Sequence, residues 1–143
     1  MTVSQIISNI RYNENLIDEY TRERRELEKQ IEELEALSNK YGQLQTRFGD
    51  RQQLRQSKLA AFLSSRIQNH ILKQYYSGMS QLLEGSDFNN AYEGLSEAKR
   101  IINRKILEID QQLDDCKGRI AYRRQRRDYW RAQLAAALAK EEG

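Results

Sequence analysis

The side chains best suited to chemistry are few in this chain, and their spacing works against them. Its 143 residues include one histidine, His70, and one cysteine, Cys116. A zinc or iron site draws on several such ligands at set intervals, so His70 reads as a half-exposed helix residue and no metal site is expected. Cys116 has no partner for an intramolecular disulfide; it falls where a small apolar side chain packs well between helices. Glu32-Glu33 and Asp114-Asp115 are adjacent carboxylates, which diverge by about 100° on a helix and do not share a site. Neither a phosphate-cradling glycine loop nor a nucleophile elbow occurs. The expectation is a non-enzymatic protein with no catalytic residues, no cofactor and no small-molecule substrate.

The strongest chemical signal is the block from Lys117 to Arg131, which sets 7 basic side chains against Asp128. Arginines grip phosphates, and Tyr122, Tyr129 and Trp130 can stack on bases, so a nucleic-acid-binding coiled coil is one reading. The other follows from phase: Ile120, Arg127, Trp130 and Leu134 stay in step with a helical seam, which assigns several of these arginines to a helix interface.

The elements that must carry these residues are helices. There is no proline, only 7 glycines, and the rest is rich in glutamine and arginine, a composition that lacks turn punctuation and favours long helices. The net charge is +3, unevenly spread. Residues 1–48 carry 7 basic and 9 acidic side chains, whereas residues 49–83 carry 5 basic and 1 acidic. An acid-rich start and a basic later part suit helix pairing at least as well as a polyanion. No stretch of about 18 apolar residues is present to span a membrane, and the N-terminus lacks the pattern of a secretory signal. The expected location is the cytoplasm, and any export would proceed alongside a partner by a route that ignores such signals.

Three helices are expected, at about 3–48, 51–84 and 88–139, in one helical domain over 1–143. In the first, Val3, Ile10, Ile17, Arg24, Ile31 and Ser38 recur every seven residues, interleaved with Ile6, Asn13, Tyr20, Leu27, Leu34, Tyr41 and Phe48. That alternation makes a narrow seam wanting a facing helix. A bend or break is expected near Gly42 and Phe48-Gly49-Asp50. The middle segment carries a wider apolar face, including Leu54, Leu59, Phe62, Leu63, Ile67, Tyr75, Tyr76 and Met79. It ends where Gly85 can stop a helix and Ser86 or Asp87 can cap the next. The last helix resumes a narrow seam through Phe88, Ala91, Leu95, Ala98, Ile102, Ile106, Ile109, Leu113, Cys116, Ile120, Arg123, Arg127, Trp130, Leu134 and Ala137. Its steps through residues 98, 102 and 106 suggest a stutter. The fold class is all-α, an elongated antiparallel helical hairpin or coiled coil with a middle helix.

Charged residues in a seam call for partners. With the termini near each other, Arg123 and Arg127 come level with Glu14, Asp18 and Glu19, and cross-helix ion pairs there would set register and orientation. Phe62, Leu63, Ile67, Tyr75, Tyr76 and Met79 are the candidate partner-binding residues, since the middle helix has more apolar surface than one hairpin covers. The same positions would equally fill an intramolecular bundle or a homodimer seam.

The run Leu59-Ala-Ala-Phe62-Leu63, then Tyr76-Ser-Gly78-Met79-Ser-Gln-Leu82-Leu83-Glu-Gly85-Ser86-Asp-Phe88-Asn-Asn-Ala91, then a long seamed helix, resembles the small accessory proteins encoded beside LXG toxins. These belong to the type VII secretion systems of Gram-positive bacteria and are distant relatives of the WXG-type hairpin proteins. The resemblance implies a helical partner for the N-terminal helical domain of a toxin, sometimes with a second small helical accessory protein, in preparation for export. Trp130 is followed by Arg131-Ala132, so the Trp-x-Gly turn is missing, and neither Tyr129 nor Phe48 begins an export signal, being followed four residues later by Gln133 and Gln52. These departures favour a chaperone or targeting role. The hairpin stalk of flagellar-type export machines is a further alternative of similar size and arginine content.

Overall fold

In the computed structural model the chain is all-α, as its composition requires. The structure describes residues 1–64, 74, 77–79, 81 and 85–142, with side chains described for all of these but 62–64, 86 and 87. Two long helices dominate: α1, Val3–Ser64, and α2, Ser86–Glu142. Residues 74, 77–79 and 81 are helical as well.

The start of α1 is capped by its own sequence. The Thr2 hydroxyl accepts the Gln5 backbone N–H at 3.2 Å, while the Gln5 side-chain oxygen accepts the Thr2 N–H at 2.9 Å. This reciprocal capping box satisfies two of the donors a helix start leaves orphaned. The motif Thr-x-x-Gln is visible in the sequence, though the heptads alone do not reveal it.

The expected break between residues 48 and 51 does not occur; α1 continues through it to Ser64. No described glycine adopts a left-handed backbone, so Gly42 and Gly49 simply occupy helix interior. Each costs about 1 kcal/mol relative to alanine, and the packing of Gln45 and Phe48 nearby offsets that cost. At the other boundary, Gly85 accepts the Asn89 N–H at 3.5 Å, and α2 starts at Ser86, where the sequence places a helix start.

The chain divides into two compact units. The first joins Met1–Glu33 with Ile106–Gly143; the second is Leu34–Lys105. In the first unit the buried positions are Ile6, Ile10, Asn13, Ile17 and Leu27 on α1, with Ile109, Leu113, Cys116 and Ile120 on α2. All of them lie on the two expected seams. Each buried aliphatic side chain contributes about 1.5–3 kcal/mol, and the polar residues between seam positions stay in water, so pairing rests on this stripe. The two helices run antiparallel here: Asn13 meets Arg123 and Tyr20 meets Cys116, so seven residues forward on one helix match seven back on the other.

In the second unit the heptad begun at Val3 continues beyond Ser38 to Gln45, Gln52 and Leu59, of which Gln45 and Leu59 are buried and Gln52 half-buried. On α2 the expected stutter dissolves. Ala91 and the Tyr92 side chain are both exposed, but the Tyr92 backbone carbonyl and the Lys99 ammonium both bond Gln45 of α1. With Phe88, Tyr92, Leu95, Lys99, Ile102 and Ile106 as the seam, steps of four and three alternate without interruption. A lysine was not an obvious seam residue, yet it is half-buried and its ammonium reaches the polar Gln45 across the pair.

Candidate functional site

Two places in the molecule have chemical character, one in each unit. In the first unit, the seam becomes polar towards the termini. Asn13 is 3% exposed and uses both ends of its amide: its nitrogen donates to the Asn9 carbonyl at 2.8 Å, and its oxygen accepts from Arg123 at 3.4 Å. A buried amide left unpaired would cost about 1–3 kcal/mol, so the two bonds keep it tolerable.

The expected ion pairs are redistributed. Arg123 does not meet a carboxylate; it bonds the Asn13 amide. Arg127 turns to its neighbour Asp128 at 3.2 Å rather than crossing to α1. The pair that does cross is Arg131 with Glu14 at 3.0 Å, and Asp18 joins no ion pair among the described residues. The physical reason is reach. A seam arginine points between the helices, where Asn13 lies, while Glu14 flanks the seam and is met by a flanking arginine. Arg24, the third charged seam residue, has its buried Nε without a hydrogen-bond partner among the described residues, with the Glu28 carboxylate 3.7 Å away.

Deeper in the same unit, Cys116 is 1% exposed, and its thiol lies 3.1 Å from the Tyr20 carbonyl oxygen, placed to donate to it. Burial pushes this thiol above its ordinary range and Glu23 pushes the same way, outweighing Arg119 and Arg24. A neutral, enclosed thiol is a packing residue rather than a nucleophile.

The arginines flanking this seam lie over aromatic rings. Arg119 lies 5.8 Å from the Tyr20 ring; Arg123 lies 5.5 Å from Tyr12 and 5.1 Å from Tyr122; Arg126 lies 4.9 Å from Tyr129 and 5.6 Å from Trp130. The phenol rings of Tyr12, Tyr122 and Tyr129 remain substantially exposed.

In the second unit, Gln45 is a buried polar node. Its amide nitrogen donates to the Tyr92 carbonyl at 3.1 Å and the Ser96 hydroxyl at 2.6 Å, and its oxygen accepts from Lys99 at 3.5 Å. Extending the first heptad by one step would have found it. Next to it, Phe48 stacks on Phe88 with ring centroids 4.5 Å apart. Beside this seam, Leu37 and Leu44 expose 39% and 49% of their surface. They lie one heptad apart and flank the seam residues Tyr41 and Phe48. Leu54 and Ile101, each 56% exposed, add to the apolar surface of this unit.

Of the expected partner-binding residues, Met79 is described and exposed. Ile67, Tyr75 and Tyr76, and the side chains of Phe62 and Leu63, lie outside the described residues, as does His70. Among the described residues no group of histidine, cysteine, aspartate and glutamate is placed to hold a metal ion, and no helix is long and apolar enough to cross a membrane. No family model matches the chain, nor does any curated protein or solved structure.

Proposed function

We propose that this chain is a non-enzymatic helical adaptor, a targeting chaperone that holds the N-terminal helical domain of an LXG-type toxin for type VII export. The observation that carries the reading is the pair of exposed leucines one heptad apart beside the seam, Leu37 and Leu44. A helix that presents one seam to its partner and further apolar side chains beside it is suited to meet a second neighbour. The sequence resemblance suggests the kind of neighbour, a long toxin helix, and the exposed Leu37 and Leu44 support a docking surface in the second unit, on the helix that leads towards the expected partner-binding segment.

The test is co-expression with the N-terminal domain of an LXG toxin, followed by size-exclusion chromatography. The two chains should elute together, and Leu37→Glu with Leu44→Glu should separate them while leaving the helical content by circular dichroism unchanged. A folded chain that ignores the toxin domain overturns the reading.

A further inference from the structure

We propose that the row Arg119, Arg123 and Arg126 in the first unit is a docking strip for an acidic helix of a protein partner; this deepens the adaptor reading above and rests on it. The spacing is the starting point. Steps of four and three residues put these arginines on one line along α2. Among the described residues none of them has a carboxylate within ion-pairing distance: Glu14 is engaged by Arg131, and Asp128 by Arg127 and Arg131. The facing stretch of α1, which includes Tyr12 and Tyr20, carries Glu14, Asp18 and Glu19, and among the described residues none of these is paired with the three arginines. The row therefore carries guanidiniums that no carboxylate of the described residues pairs directly, although Arg123 already donates to Asn13. Its far end is bounded by Asp114 and Asp115, which share a surface groove with Arg119, Tyr122 and Arg123, so the strip has a direction.

The rings decide between possible polyanions. A single-stranded nucleic acid needs free aromatic faces on which its bases stack. Here each half-exposed ring, Tyr12, Tyr122 and Tyr129, already has a guanidinium over it. A guanidinium over a ring keeps N–H groups for an acceptor, and a guanidinium can receive a carboxylate in bidentate fashion. Arg119 and Arg126 are placed for this, while Arg123 between them also donates to Asn13. Tyrosine, tryptophan and arginine packed together are also the side chains that dominate protein interfaces. A partner helix with glutamates at matching steps of four and three would lay carboxylates against Arg119 and Arg126, with Arg123 adding positive charge between them.

The experiment uses the full chain and a fluorescent helical peptide carrying glutamates at those steps, read by anisotropy. A scrambled peptide of the same composition and an oligothymidylate serve as controls. The glutamate peptide should bind at low salt, weaken as salt rises, and lose at least about tenfold in affinity with Arg119→Glu and Arg126→Glu. The same charge-reversed chain should gain affinity for the lysine version of the peptide, which a misfolded variant would not do. The proposal is overturned if the glutamate peptide fails to bind, if the scrambled peptide binds as well, or if the oligothymidylate binds more tightly than the peptide. Failure here leaves co-elution with the toxin domain, and its sensitivity to Leu37 and Leu44, intact.

Discussion

The side-chain amide of Asn13 and the guanidinium of Arg123 meet across the helix pair at 3.4 Å, at a level where a coiled coil would ordinarily bury two apolar side chains. A polar contact in such a seam sets register at a cost in stability, because a slipped pairing would leave both groups unsatisfied. Asn13→Ala should therefore lower stability by about 1–2 kcal/mol in urea melts, since Arg123 loses its acceptor. The double replacement Asn13→Leu with Arg123→Leu should raise stability above the parent. If both variants melt like the parent, the contact sets nothing.

Glu14 and Arg131 form a cross-helix ion pair in the first unit, but both side chains are about half exposed. Water and salt screen such a pair, so a double-mutant cycle should return a coupling of less than about 1 kcal/mol that fades at high salt. Arg127→Ala should change stability by less than about 0.5 kcal/mol, because that arginine bonds its exposed neighbour Asp128. A large loss at Arg127 would mean that it crosses to α1 in solution.

Gly42 and Gly49 sit inside continuous helix without a left-handed backbone. A Cβ at Gly49 would meet nothing within 4 Å, and one at Gly42 would meet the flexible end of Lys99 at 3.6 Å. Alanine at either position should raise stability by about 0.4–1 kcal/mol, with an increase in Tm. A drop in Tm for Gly49→Ala would reveal a bend there instead.

Cys116 is closed off from solvent, and its thiol is held in the neutral form above the ordinary range. Labelling by an aromatic disulfide reagent should be slow at neutral pH and accelerate sharply in denaturant. The unfolded chain gives up this proton at lower pH than the folded one. The group's contribution to stability is thus full below the ordinary thiol range and is lost as pH rises through that range towards the folded value. Melts of the parent and of Cys116→Ala, compared from neutral pH upwards, should show the parent losing the extra stability; parallel curves would contradict it.

Most of the fold was legible in the residues. The positions buried in the first unit lie on the two sequence seams, because a helix repeats its face every three to four residues and water sorts the side chains accordingly. Two misreadings have a common origin. Gly49 reads as a break and the seam reads through Ala98 rather than Lys99, since propensity and polarity describe a side chain in isolation. In the folded chain Phe48 stacks on Phe88 and Lys99 reaches Gln45, and these tertiary contacts override the local preference.

The site was legible to a lesser degree. Charged residues in the seam of the first unit were plain from the heptads, and so was the crowding of arginines after Lys117. Their partners were not, because an arginine side chain spans several positions on the facing helix and several acceptors lie within its reach. By itself, then, the amino-acid order determined that the chain is helical, which face of each helix is buried and where positive charge accumulates. Only the tertiary structure decided that Arg123 bonds an amide, that Arg131 takes the carboxylate of Glu14, and that Arg119 and Arg126 lie over rings without one. Burial follows a periodicity written along one chain, whereas pairing depends on the register and rotamers of two helices brought together.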